Sequence, residues 1–428
     1  MHSWIKDARI AAWGYGREGQ AVHQYINDIG GYESLVILTP EPLEGLSGAV
    51  NIHGDDVFAA MKNRQFDVLV KSPGISLYDP ALIVAQSKDM MVTSATNIWF
   101  EANPQARTIV VTGTKGKSTT ASMLFHVLKA LGQDVVLGGN IGVPLLGLTP
   151  GRDLTVIELS SYQLADLKFT PDIFVALNLF PEHVPWHGSV EQYYRDKMSP
   201  LFSGGDRAEL PLVIAGYENA ILRRYADEYR GEIIWFDAND QSTGFKAPDN
   251  FTLKGSHNLS NFAAVFTVCQ ALGYTDDDIF AAVDGFCSLP HRLEEAGIYD
   301  GVLYVNDSIS TTPQSTLEAV RSYQDRSLIL IMGGTDRGQD YVDFGAALTD
   351  HRIKHIYVLP GHAERLSAQL GNMVSCSHVR TLEDAMGKTK EIAAEGDVVL
   401  LSPAAPSFTQ FKNFEERGHL FMQLAKTL

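Results

Sequence analysis

Short apolar runs recur along the chain with helix-length gaps between them. From Arg9 to about Ala95 the runs RIAAW, SLVILT, DVLVKS and MMVTS alternate with stretches of helical spacing. A second series passes through RTIVVTG, DVVLGG, LTVIELS and FVALNLF, and a third through GVLYVNDS, SLILIMGG, HIYVLP and DVVLLSP. Strands that alternate with helical segments read as parallel sheets with crossover helices. The pattern predicts an α/β protein of three consecutive α/β domains, with joins near Thr96 and in the turn SLPHR at 288 to 292. The expected domains are 1–95, 96–289 and 290–428. The three units share a pattern and not a repeated sequence.

The second series opens on VTGTKGKSTT at 111–120. The common phosphate-cradling pattern is G-x-x-x-x-G-K-[ST], and its first glycine would fall where this chain has Val111. What stands here is a shortened loop, Gly113-Thr114-Lys115-Gly116-Lys117-Ser118, after a strand (TIVV) and before a helical pattern (ASMLFHVLKAL). Turn N–H groups and the positive end of the helix still converge on one spot for an anion. Lys117 adds a point charge, and Ser118 or Thr119 a hydroxyl for Mg²⁺. A glycine-rich surface turn is the plainer alternative, and the strand-to-helix position argues against it. The loop predicts a nucleoside triphosphate.

Composition narrows the partners. Of 428 residues, 45% are hydrophobic, and 34 basic against 51 acidic side chains give a net charge of −17. That balance argues against nucleic acid and anionic membranes, so anionic ligands need local basic clusters. Cys269, Cys287 and Cys376 are odd in number and widely spaced, which indicates neither a disulfide framework nor a zinc site. The opening MHSWIKDARIAAWGYG has no long apolar core, and no run of 18 apolar residues occurs. A cytoplasmic protein with no membrane insertion is expected.

In the first unit Gly14-Tyr15-Gly16-Arg17-Glu18-Gly19 follows a strand and opens a helix, as a dinucleotide-type fingerprint does. Alone this motif is weak, since it serves equally for close strand–helix packing. No acidic residue ends the next strand, SLVILTP, so the ribose-binding carboxylate of a nicotinamide site is missing. A diphosphate ligand of another kind is favoured. In the second unit Glu158 ends a strand, and His183 follows another in PEHVPWHG. A carboxylate and an imidazole at strand ends beside a phosphate loop suit a divalent metal, although either has a plain reading as a helix cap or a loop histidine. Asn258 and Asn261 lie three apart at the start of a helical pattern and so share a face that can read a base. Arg292, in LPHRLE, can clamp a transferring phosphoryl group, or serve a hinge ion pair instead. Asp307 tips one strand of the third unit; Ser407 and Phe414 follow another.

TGTKGKST, GGNIG at 138–142, ELSSYQL, the histidine phrase, SHNLSN, LPHR, VNDS and above all SPAAPSFTQFKNFEERG stand in an order that resembles the Mur ligases over essentially the whole chain. Within them the resemblance is to the glutamate-adding (MurD-type) class, which acts on UDP-N-acetylmuramoyl-L-alanine. It implies Rossmann-like terminal domains around a central P-loop ATPase-like domain, working as a monomer. Gly14, Gly16, Arg17 and Ser72 would lie at the diphosphate of the UDP-sugar. Gly113, Thr114, Gly116, Lys117, Ser118, Thr119, Asn258, Asn261, Arg292 and Asp307 would form the ATP site. Ser118, Glu158, His183 and Lys197 would hold magnesium, Lys197 as a carbamylated lysine. Asn140, Ser161, Gln163, Thr311, Arg337, Ser407 and Phe414 would touch the substrates. ATP would convert the alanine carboxylate to an acyl phosphate, the glutamate amine would attack it, and phosphate would leave from a tetrahedral intermediate. Lys117, His183, Lys197 and Arg292 would carry the catalysis, His183 as the base.

The chain departs from the family pattern mostly around the amino-acid pocket. NDSKAT becomes NDSISTTP, with Ile309 for the lysine; a lysine after the next glycine-rich turn becomes Arg337; DH-x-D-R becomes EHVPWHG, with Pro185 and Trp186; and SPACAS becomes SPAAPS. A planar guanidinium and an apolar branch cannot hold two carboxylates as ammonium groups do. This favours L-glutamate over D-glutamate as the added amino acid. A folylpolyglutamate synthase shares the short loop but lacks the leading glycine-rich domain and the QFKNFEERG tail. A nicotinamide dehydrogenase would leave the phosphate loop unexplained, and a non-catalytic nucleotide sensor would leave Glu158, His183 and Lys197 without a role.

Overall fold

The computed structural model describes residues 2–202, 210–239, 245, 247–248, 251, 253, 255–287 and 289–427. The first sheet holds β1 (Arg9–Trp13), β2 (Ser34–Thr39), β3 (Val50–His53), β4 (Val68–Lys71) and β5 (Met91–Ser94) in the order β3-β2-β1-β4-β5, all parallel. The second holds β6 (Thr108–Thr112), β7 (Val135–Gly139), β8 (Leu154–Glu158), β9 (Ile173–Ala176), β10 (Leu212–Gly216) and β11 (Ile233–Phe236) in the order β11-β10-β9-β6-β8-β7, also all parallel. The third holds β12 (Glu294–Tyr299), β13 (Val302–Asn306), β14 (Leu328–Gly333), β15 (Ile353–Leu359), β16 (Cys376–His378) and β17 (Val398–Leu401) in the order β12-β13-β17-β14-β15-β16. Only β12 runs antiparallel there.

Central strands such as VLVK, TIVVT, LTVIE and LILIMG are buried at every position because helices cover both faces. Packing divides the chain into two compact units, Met1–Phe251 with His257–Phe286, and Thr252–Ser256 with Cys287–Leu428. The first two sheets thus share one unit. All twelve apolar runs read from the sequence are strands, while β3, β10, β11, β12 and β16 were not anticipated. β3 and β16 are short edge strands with partly exposed residues, and β12 is broken by a register shift at Gly297, so none carries a continuous apolar signal. LVIAG and IIWF do carry one. No described helix is long and apolar enough to cross a membrane.

Gly19 sits where the helix Arg17–Ile29 meets the end of β1, and a Cβ there would collide with the Gly14 carbonyl oxygen; Gly16 has open space around it. We therefore expect Gly19→Ala to cost about 2 kcal/mol in urea unfolding and Gly16→Ala only a few tenths. Equal costs would show that the turn is not packed as described.

Candidate functional site

In an open parallel sheet, ligands bind beyond the strand carboxyl ends where the strand order reverses. In the second sheet that point lies between β6 and β9, and the predicted loop follows β6. Gly116 stands at φ 85°, the left-handed region, and starts the helix Lys117–Ala130. A Cβ on Gly116 would run into Asn261 Oδ1, so glycine keeps this cradle open. Asn178, just after β9, fastens the loop: its carbonyl accepts from Thr114 N at 2.8 Å, its Oδ1 accepts from Lys115 N at 2.9 Å, and its Nδ2 donates to Lys115 O at 3.1 Å. Thr114 Oγ1 pairs with the Tyr193 hydroxyl at 2.7 Å and accepts from Phe180 N at 2.9 Å.

Two ammonium groups then meet one carbonyl. Lys117 Nζ donates to Gly113 O at 3.0 Å and Thr114 O at 2.9 Å, and Lys197 Nζ donates to the same Gly113 O at 3.1 Å. Lys197 is fully buried, and burial, reinforced by the Lys117 charge, lowers its pKa well below that of an ordinary lysine. Glu158, with no exposed surface, ends β8 alongside; its Oε1 accepts from Asn140 Nδ2 at 2.9 Å and its Oε2 has no hydrogen-bond partner. Such a buried orphan carboxylate oxygen next to a helix N-terminus carrying Ser118 and Thr119 fits a hard cation. Among the described residues no group of three or more His, Cys, Asp or Glu is arranged for a metal. Magnesium takes one or two carboxylates and completes its shell from phosphates and water.

His183 follows β9 at φ 56° and is half-exposed, with Nε2 4.0 Å from Glu182. Burial lowers its pKa despite Glu182, so the ring is neutral at pH 7. In Glu182 burial is outweighed by Lys115, 2.8 Å away, which holds the carboxyl below its usual range. Asn258 and Asn261 are buried on one face of the helix Ser256–Ala271 and bond each other at 3.2 Å.

The first sheet reverses order between β1 and β4, and the loops there bear Gly14, Gly16, Arg17 and Ser72. Ser72 Oγ donates to Gly14 O at 3.3 Å, and Arg17 Nη2 to Gly142 O at 2.6 Å. Gln163, expected at substrate, uses its Oε1 on Ser160 N and Oγ and its Nε2 on Glu18 Oε1 at 2.6 Å. Glu18 is pushed up to about 7 by burial, with Gln163 and Lys71 pulling back. Ser161 Oγ lies 3.0 Å from Nε2 of the buried His187.

The other expected residues belong to the second unit. Asp307 follows β13, accepts from Ser402 Oγ at 2.7 Å and is pushed up to about 6 by burial, with Arg292 among the groups that offset this. The loops after β13, β14 and β17 emerge at one sheet edge and carry Thr311, Arg337 and Ser407. Thr311 O accepts from Gln339 Nε2 at 3.1 Å, the exposed Arg337 lies 6.0 Å from the Phe408 ring, Ser407 is buried, and Phe414 O accepts from Ser308 Oγ at 2.8 Å. Arg417, 1% exposed, fastens two of these loops through Ser308 O at 2.8 Å and Ala405 O at 3.2 Å, and burial lowers its pKa to about 9. Sequence reading passed over Asn178, Tyr193, His187, Asp196, Glu18, Lys71 and Arg417. Only Lys71, a lysine ending an apolar strand, and Arg417, within NFEERG, carried a visible signal.

Residues 111–250 match the Mur ligase middle domain, and residues 291–405 match the Mur ligase, glutamate ligase domain. A curated UDP-N-acetylmuramoyl-L-alanine--L-glutamate ligase from Xanthomonas euvesicatoria pv. vesicatoria is 35% identical over 99% of this chain and 96% of its own length. One of the same name from Salinispora tropica is 36% identical over 99% and 98%. Among solved structures, a MurF from Acinetobacter baumannii superposes with TM-score 0.62 at 16% identity over 98% of this chain and 91% of that one. A UDP-N-acetylmuramate-alanine ligase, MurC, from Thermotoga maritima gives 0.60 at 17% over 98% and 99%. At such identities these structures establish the fold.

Two outcomes follow from the geometry. Lys117→Ala should weaken nucleoside triphosphate binding about a hundredfold in calorimetry, since it strips the cradle of its charge. Unchanged affinity would put the triphosphate elsewhere. For Glu18 the folded pKa lies above the unfolded one, so the native state holds the proton more tightly and loses stability as pH rises from 4.5 to about 7. Glu18→Gln lacks this loss. The variant should gain about 3 kcal/mol over the parent between pH 4 and pH 8 in chemical denaturation. A gap that does not change with pH contradicts the burial of Glu18.

Proposed function

The chain belongs to the Mur ligase family, and on that premise we propose that it is an ATP-dependent ligase of peptidoglycan precursor synthesis that joins L-glutamate to UDP-N-acetylmuramoyl-L-alanine, releasing ADP and phosphate. The observation that carries the chemistry is the meeting of Lys117, Lys197 and the orphan Glu158 oxygen around one glycine turn. The amino acid is supported by full-length identity to ligases named for L-glutamate, and by Ile309 and Arg337 at positions where the family pattern has lysine. The enzyme acts as a cytoplasmic monomer, where ATP and the nucleotide-linked sugar are at hand.

A carboxylate and a triphosphate repel each other, so the site must first neutralise charge. In this reading Lys117 and the N–H groups at the start of its helix take the terminal phosphates. Ser118, Glu158 and Lys197 would hold magnesium, which would supply a positive charge to the transferring phosphoryl group. The alanine carboxylate oxygen attacks the γ-phosphorus, and ADP departs with the electrons of the broken bond. The glutamate amine then attacks the acyl carbon, its proton passes to His183, and phosphate leaves. A neutral His183 is suited to accept that proton, and its low pKa supports the assignment. Lys197 is suited to carbamylation for a related reason: only a neutral amine attacks CO2, and burial beside Lys117 shifts it towards that form. The carbamate is an anion, which would turn repulsion from Lys117 into attraction.

The test is to offer the purified protein MgATP and UDP-N-acetylmuramoyl-L-alanine with L-glutamate in one tube and D-glutamate in another, and to measure released phosphate. Turnover is expected with the L isomer. Phosphate in neither tube defeats the ligase assignment, and turnover with the D isomer alone defeats the choice of amino acid.

A further inference from the structure

The helix Val190–Lys197 reaches several walls of the first unit at once. Tyr193 and Lys197 hold the glycine turn through Thr114 Oγ1 and Gly113 O, at 2.7 and 3.1 Å. Asp196, 5% exposed, accepts at Oδ2 from His187 Nδ1 at 2.5 Å and at Oδ1 from Gln192 Nε2 at 2.8 Å. The Tyr78 hydroxyl adds bonds of 2.8 and 3.0 Å to its two oxygens. Tyr78 belongs to the loop after β4, and that loop is itself fixed to the segment bearing His187. Ser76 Oγ donates to Trp186 O at 2.6 Å, and Trp186 Nε1 returns to the carbonyls of Pro73 and Gly74 at 3.1 and 3.2 Å. His187 Nε2 closes the set on Ser161 Oγ at 3.0 Å.

A buried carboxylate held by a donor on its own helix, Gln192, and by two from other segments, His187 and Tyr78, has little freedom to shift, and the next residue in the chain is Lys197. A lysine side chain is a long flexible stem, so where its amine sits depends on how firmly its Cα is held. Asp196 bonds His187, Gln192 and Tyr78, while the Lys197 amine bonds Gly113 O, so Asp196 acts on Lys197 through the backbone they share.

We propose that Asp196, anchored by His187 and Tyr78, is a positioning residue that fixes the Lys197 amine against the glycine turn, and that Tyr78 makes this setting depend on the loop after β4. The inference rests on the ligase reading for its consequence in turnover. Asp196→Ala removes the anchor, and kcat should fall about thirtyfold while KM for ATP and for the sugar nucleotide stays within about threefold. Asp196→Asn keeps it: Oδ1 still accepts from Tyr78 and Gln192, while the amide N–H₂ turns to His187 Nδ1 and moves the ring proton to Nε2. This variant should stay within about threefold of the parent.

Tyr78→Phe loses one anchor on a ring already 41% exposed, so it should melt with the parent and lose about fivefold in kcat. If Asp196→Ala does not fold, Asp196→Asn and Tyr78→Phe decide. Equal damage from Asn and Ala would mean that charge matters and not anchorage; unchanged kcat in Tyr78→Phe, or a change confined to KM, would also overturn the proposal. Should the parent itself release no phosphate, the ligase reading falls first. Crystals of the Ala and Asn variants then test the anchor directly, with Nζ expected to leave Gly113 O in the first and to stay in the second.

Discussion

Two lysine ammonium groups donate to the single carbonyl of Gly113, and most of the central site follows from that crowding. Like charges brought to one acceptor repel, and more strongly away from bulk water. Burial makes one of them, Lys197, the easier to neutralise. Glu158 stands near with one oxygen unpaired, so the cluster lacks an anion on the loop side and a cation on the carboxylate side. In the proposed reading a triphosphate with its metal would supply both. A chain with net charge −17 thereby concentrates positive potential at one sheet edge, where its ligand needs it.

The junction between the first two sheets is polar to an unusual degree. Glu18 meets Gln163 there, and Lys71, 1% exposed, stands 3.6 Å from Asp166 and 5.7 Å from the Trp186 ring. Buried ion pairs add little net stability against their desolvation, yet breaking one is costly. Such contacts hold the loops after β1 and β4 in a fixed relation to the phosphate loop, which is what a substrate reaching from one to the other requires.

Sequence reading fared differently with different residues. The glycine turn, Glu158 and the Asn258–Asn261 face were legible because each is a local arrangement: a strand end, a tight turn, a helical spacing of three. Gln163 was legible as a polar residue in the right segment, but its amide is oriented by Ser160 and Glu18, and the latter lies 145 residues away. His187 escaped notice beside His183 because both stand in one phrase, and only burial and the Asp196 bond separate a structural imidazole from a half-exposed one. The edge strands escaped because half-exposed strands carry no unbroken apolar run.

The three-fold α/β alternation, the central parallel strands of each sheet and the place of the glycine turn were legible in the sequence, since strand burial, helical periodicity and glycine conformations are written in neighbouring residues. Folding alone decided which ionisable groups share a wall. Lys197 reaches Gly113 across 84 positions, and Tyr78 reaches Asp196 across 118. The proton affinity of a side chain depends on the water it loses and the charges it meets, and both are properties of the packed chain.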